Sequence, residues 1–161
     1  MNLFILRHGK AEKSSVGTPD AARALTRDGK EEVKKVAQWM KGKKIRFDAI
    51  ATSPLNRARG TAKIVAAVLD QKDQLVVWDD LAPGGDPDTV CYHVSGFGKH
   101  ASVLIIGHEP GLSMLISKIT GETGIGLAKA GLAKIQNFTF TRHPSGNLQW
   151  LFTPKHMKDK R

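Results

Sequence analysis

The chain has 161 residues, 40% hydrophobic and 25% charged, so it suits one globular domain with a sizeable core and leaves no room for a second. No apolar run reaches the roughly 18 residues of a membrane helix, residues 1–12 lack a signal-peptide pattern, and the single Cys91 excludes an internal disulfide or a multi-cysteine zinc site; a cytoplasmic location is expected. The 25 Lys and Arg against 15 Asp and Glu give a formal charge of +10, which points to anionic partners, while the 6% of aromatic residues do not interleave with the basic clusters, so a nucleic-acid platform is not expected.

Residues 2–6 form a short apolar run ending at Arg7-His8-Gly9, the pattern of a buried strand that delivers polar residues at its carboxyl end. Residues 10–24, with Gly17 and Pro19, read as a loop. Thr26 then caps a helix whose apolar positions Val33, Val36, Ala37 and Met40 recur at helical spacing. Lys30, Lys34, Lys35, Lys41, Lys43, Lys44 and Arg46 form its solvated face and exit. A second strand, 48–52, runs into Ser53-Pro54 and a helix over about 55–69 that carries Arg57.

Residues 75–78 predict a third strand and 83–85 a loop, followed by a helix with Asp86 as cap and Pro87 as its first residue. A fourth strand, 102–106, ends at Gly107-His108-Glu109-Pro110, and the helix beyond it places Leu112, Leu115, Ile116 and Ile119 on one face. Two last strands, 133–140 and 148–152, are joined by a turn over 143–147. This alternation predicts a three-layer α/β/α sandwich with a mostly parallel central sheet and an antiparallel hairpin at its end. The domain is expected to span 1–154, with a basic tail at 155–161.

Ligands of such sheets bind beyond the carboxyl ends of the strands. Three strands here end in Arg7-His8, in Ser53 with Arg57, and in His108. Phosphoryl transfer needs fixed cations and donors around the equatorial oxygens and an in-line nucleophile. Arg7 and Arg57 supply planar forks that can each hold two oxygens. A neutral His8 can attack phosphorus, its tautomer fixed by a bond from its other ring nitrogen to a backbone carbonyl. Gly9 is expected to offer an unshielded N–H to the phosphate, Ser53 to join in binding it, and His108 to act as a cation or donor. Taken singly, each residue has a plainer reading as strand cap, turn or satisfied histidine; three such accidents at one sheet edge do not combine easily. The remaining histidines, His93, His100, His143 and His156, are read as structural.

These residues are familiar as a set. Leu6-Arg7-His8-Gly9-Lys10-Ala11 resembles the RHG motif of the histidine phosphatase (phosphoglycerate mutase-like) superfamily. The stretch 52–58 with Thr61-Ala62 is similar to its second motif, and Ile106-Gly107-His108-Glu109-Pro110 to its third. With Arg23-Ala24-Leu25-Thr26 and the segment 81–86, the likeness runs in order from Leu3 to about Leu115, and the short length looks most like the SixA branch, the phosphohistidine phosphatases. The resemblance implies His8 as the phosphorylated nucleophile, Arg7, Arg57 and His108 as phosphoryl ligands, and no metal or other cofactor.

Larger relatives carry a glutamate general acid on an inserted segment; here 78–88 offers Asp79, Asp80, Asp86 and Asp88 and no Glu in that pattern. An alkoxide leaving group needs a proton in the transition state, whereas a phosphohistidine imidazole leaves easily once protonated. The expected partner is therefore a phosphohistidine-bearing protein such as a phosphotransfer domain, with no membrane involved. Two alternatives stand beside it: a broad phosphatase of small phosphate monoesters, and a non-catalytic basic module that binds phosphate or nucleic acid.

Overall fold

The computed structural model describes residues 1–158. The elements follow in the order β1 (Asn2–Arg7), α1 (Arg27–Gly42), β2 (Ala49–Thr52), α2 (Asn56–Val68), β3 (Leu75–Val77), α3 (Pro87–Ser95), β4 (Ser102–Gly107), α4 (Gly111–Thr120), β5 (Leu132–Phe140) and β6 (Pro144–Phe152). They build one six-stranded sheet in the order β3-β2-β4-β1-β5-β6. The first four of these strands are mutually parallel, and β5 and β6 join antiparallel.

The apolar runs foreseen as central strands are buried on both faces, as parallel strands covered by helices must be. Leu3, Ile5, Val103 and Ile105 face the layer under α3 and α4; Phe4, Leu6, Leu104 and Ile106 face the layer under α1 and α2. A completely buried side chain such as Ile105 contributes about 1.5–3 kcal/mol of hydrophobic stabilisation. Helix starts follow the capping residues: the Thr26 hydroxyl accepts from Gly29 N–H, and the Asp86 carboxylate accepts from the N–H groups of Asp88 and Thr89 ahead of Pro87.

Two expectations change. The turn of the final hairpin is 141–143, and Pro144, Ser145, Gly146 and Asn147 lie in β6, paired with β5. Proline and glycine are tolerated there because β6 is an edge strand, and a Cβ on Gly146 would come within 2.6 Å of Ile135 Cγ2. A bulge at Asn137, held at φ 56°, takes up the change of register. The packed domain also passes residue 154, because Met157 is only 1% exposed and lies in the core layer under α1 and α2. Of the expected basic tail at 155–161, residues 159–161 fall outside the described residues.

Candidate active site

The sheet register brings the three strand ends level. Arg7 lies opposite Gly107 and Thr52 opposite Ile106, and one residue further on His8 N–H donates to Gly107 O and Ser53 N–H to Ile106 O. Arg7, His8, Arg57 and His108 thereby converge, as expected, on one cleft of about 290 Å³ that is also lined by Ala11, Arg23, Pro83, Glu109 and Lys129. His8, Arg57 and His108 are each less than a tenth exposed.

His8 Nδ1 lies 2.7 Å from the Gly9 carbonyl, which can only accept, so Nδ1 carries the proton and Nε2 keeps its lone pair. Burial above all, then the charges of Arg57, Arg7 and Lys129, push the His8 pKa down to about 4 against the Gly9 bond. The ring is neutral at physiological pH, as a nucleophile must be. Its carbonyl is held by the N–H of Ala130, a residue in the left-handed region at φ 57°.

His108 is also pushed down to about 4, by burial first and then by His8 and Arg57. The two imidazole rings are 5.0 Å apart. Ser53 Oγ accepts from Leu55 N–H at 3.2 Å and is hydrogen-bonded to His108 Nε2, 2.7 Å away. In the tautomer where the Ser53 hydroxyl donates to Nε2, His108 Nδ1 carries the ring proton and is a neutral donor.

The two clamp arginines are each tethered by one end. Arg7 NH1 donates to Leu127 O at 2.9 Å. Arg57 NH1 and NH2 donate to the backbone oxygen and Oδ2 of Asp20 at 3.0 and 3.1 Å. Among the described residues, the buried side-chain polar atoms without a partner are Arg7 Nε, Arg57 Nε and His108 Nδ1. An orphaned buried donor costs about 1–3 kcal/mol. All three belong to residues of this cleft, and an oxyanion seated there can satisfy them together.

Gly9 and Ser53 have other roles than those expected. Gly9 N–H donates to Thr61 Oγ1 at 3.1 Å, so it is not free for phosphate. The glycine is needed for close packing, since a Cβ would stand 2.7 Å from Val33 Cγ2. Ser53 is fully buried and orients His108. Two further basic residues line the cleft beyond those expected from sequence: Arg23, in the Arg23-Ala24-Leu25-Thr26 stretch, and Lys129, in a glycine-rich connection with no local signal.

Among the described residues, the carboxyl groups near the cleft are engaged elsewhere. Glu109 accepts from Ser113 N–H at 2.9 Å, from the Ser113 hydroxyl and from Leu127 N–H, which binds it to the first turn of α4. Asp86 caps α3, Asp80 accepts from Asp86 N–H, and Asp88 pairs with Lys118. None of these aspartates lines the cleft, and neither do His93, His100, His143 or His156. Among the described residues, no group of three or more His, Cys, Asp or Glu is placed to hold a metal ion.

The depressed histidines link stability to pH. Between about 4 and the ordinary 6.5 the unfolded chain binds more protons than the native one, so stability is complete above 6.5 and falls as pH drops towards 4. The loss is at most about 3 kcal/mol for each ring. Urea midpoints should therefore fall steadily from pH 6.5 to 4.5; a flat profile over that range contradicts the assignment of two buried neutral imidazoles.

Comparison with known proteins agrees with this geometry. Residues 3–82 match the histidine phosphatase superfamily (branch 1). The chain is 30% identical to phosphohistidine phosphatase SixA of Escherichia coli, covering 98% of this chain and 97% of that protein. It is also 30% identical to a SixA homolog of Haemophilus influenzae over 76% of this chain and 79% of that one. Among solved structures, the protein histidine phosphatase SixA complexed with tungstate superimposes with a TM-score of 0.87 at 30% identity, over 98% of this chain and 100% of that one. With the paired histidines and arginines gathered at the strand ends, these likenesses place the chain in the histidine phosphatase superfamily, within its SixA branch.

Proposed function

We propose that this protein removes the phosphoryl group from a phosphohistidine in another protein, through a covalent phospho-His8 intermediate. The observation that carries the reading is that three buried polar atoms without partners, Arg7 Nε, Arg57 Nε and His108 Nδ1, belong to residues lining one cleft with a neutral His8 whose Nδ1 is bound to Gly9 O. The crystallised SixA relative holds tungstate, a tetrahedral oxyanion of the kind such a cradle accepts.

His8 Nε2 attacks phosphorus, forming a new P–N bond as the P–N bond to the substrate imidazole breaks; the departing ring takes its proton from water. Charge building on the equatorial oxygens meets the two guanidinium groups and His108. Water then attacks the phospho-His8, the P–N bond breaks, and inorganic phosphate leaves with His8 restored. The reading calls on no metal or cofactor, since arginines supply the positive charge.

Glu109, which lines the cleft, is held by Ser113 and Leu127, and no aspartate lines it among the described residues, which favours an imidazole over an alkoxide as leaving group. The partner is a phosphohistidine-bearing protein such as a phosphotransfer domain, met in the cytoplasm, and the +10 charge steers acidic partners towards the site. Among the described residues no helix is long and apolar enough to cross a membrane.

The test is phosphate release, in the presence of a chelator, from a phosphohistidine-bearing phosphotransfer domain and from p-nitrophenyl phosphate side by side. Much faster cleavage of the phosphoprotein is expected. Equal or better cleavage of the ester overturns this reading in favour of small phosphomonoesters.

A further inference from the structure

We propose that Asp20 is a positioning residue that sets the angle of Arg57 and couples it to Arg23, making one mounted pair of guanidinium groups at the mouth of the cleft. Asp20 opens a single 3-10 turn, Asp20–Ala22, inside the loop that follows the RHG motif. Its side chain is 57% exposed, yet its partner Arg57 is only 6% exposed. Asp20 is not among the residues lining the cleft.

The acceptors of Asp20 are shared between Arg57 and Arg23, whose backbone N–H also donates to the Asp20 backbone oxygen. The backbone oxygen takes Arg57 NH1, Oδ2 takes Arg57 NH2, and Oδ1 takes Arg23 Nε at 2.8 Å. Arg23 is held further by NH1 donating to Glu12 O at 2.9 Å, and Asn56 Nδ2 reaches Ala22 O at 3.2 Å from the start of α2. Because the two terminal nitrogens of Arg57 point at Asp20, the edge carrying Nε is the one left for the phosphoryl oxygens. Arg7 repeats the pattern, with NH1 on Leu127 O and Nε without a partner. Two arginines presented by the same edge make a fork geometry that a freely rotating guanidinium does not hold.

An exposed ion pair contributes little to stability, so a merely structural Asp20 predicts little change in catalysis. A positioning Asp20 predicts a loss expressed in kcat. The inference rests on phosphoryl chemistry in this cleft and not on the identity of the leaving group, so it is tested with p-nitrophenyl phosphate turnover and calorimetric binding of orthovanadate. In Asp20→Ala, kcat should fall roughly 10- to 100-fold with KM changed much less, as expected when a reacting geometry is lost. Orthovanadate affinity should fall by a similar factor. Asp20→Asn, which keeps one acceptor oxygen, should retain an intermediate rate.

In the Arg57→Ala background, Asp20→Ala should cost much less than in the wild type, because Arg57 is gone and only Arg23 is left for Asp20 to position. An Asp20→Ala protein within twofold of wild type in both assays, or losses that multiply in the double variant, overturn the proposal. If Asp20→Ala does not fold, Asp20→Asn decides by the same criteria. Preference for the ester over a phosphoprotein refutes the phosphohistidine reading and leaves this test intact.

Discussion

His8→Ala is expected to abolish phosphate release, by roughly 10⁴-fold or more, the scale of loss when a covalent nucleophile is removed. The imidazole is held in the reactive tautomer by the Gly9 carbonyl and kept neutral by burial between two arginines. Alanine offers no lone pair in its place, and water from solvent does not inherit that alignment. The change removes a buried ring and one hydrogen bond but leaves the strand pairing of β1 intact, so a folded protein is expected by circular dichroism. Rapid quenching of the wild type during turnover should show a protein-bound phosphoramidate signal in phosphorus NMR, and the variant should show none. A folded His8→Ala protein with more than a tenth of the wild-type rate sinks the covalent mechanism.

Arg57→Ala carries the second largest expected effect, about 10²- to 10³-fold in kcat, the usual range for one preorganised donor to a developing oxyanion. Its guanidinium is 6% exposed on its side chain, and its removal takes away a fixed charge and the unpartnered Nε together. It also leaves the Asp20 carboxylate, now shared between two arginines, with Arg23 alone. Arg57→Lys keeps a charge but has no planar fork and should recover only a small part of the loss. Steady-state rates on the preferred substrate check this; a rate within twofold of wild type removes Arg57 from the clamp.

Arg7, His8 and His108 were legible because each sits at the end of an apolar run, where burial pattern and strand direction put it at the rim of the sheet, and Arg57 because the helix that follows β2 starts at that same rim. Helices α1, α3 and α4 were equally plain, from the capping residues Thr26 and Asp86 for the first two and from apolar spacing for α1 and α4. What stayed hidden was contact across the chain. Nothing local to Asp20 announces an arginine 37 residues away, and Lys129 reaches the cleft only because the connection before β5 folds back over the strand ends. Gly9 was misjudged for a related reason: its freedom to approach phosphate was visible, but the threonine hydroxyl that takes its N–H and the valine that crowds it come from α2 and α1. Pro144 and Gly146 looked like a turn because their composition carries no record of lying on the outermost strand.

The position of β1 between β4 and β5 has a consequence for how the enzyme comes into being. The nucleophile is translated early, but the groups that give it its properties arrive much later: Gly107 O for its N–H, Ala130 N–H for its carbonyl, and Leu127 O, 120 residues beyond Arg7, to brace the neighbouring guanidinium. A nascent chain therefore carries His8 as an ordinary histidine until the segment leading into β5 has cleared the ribosome. The reactive form of the nucleophile is thus a property of the nearly complete chain and not of the segment that carries it.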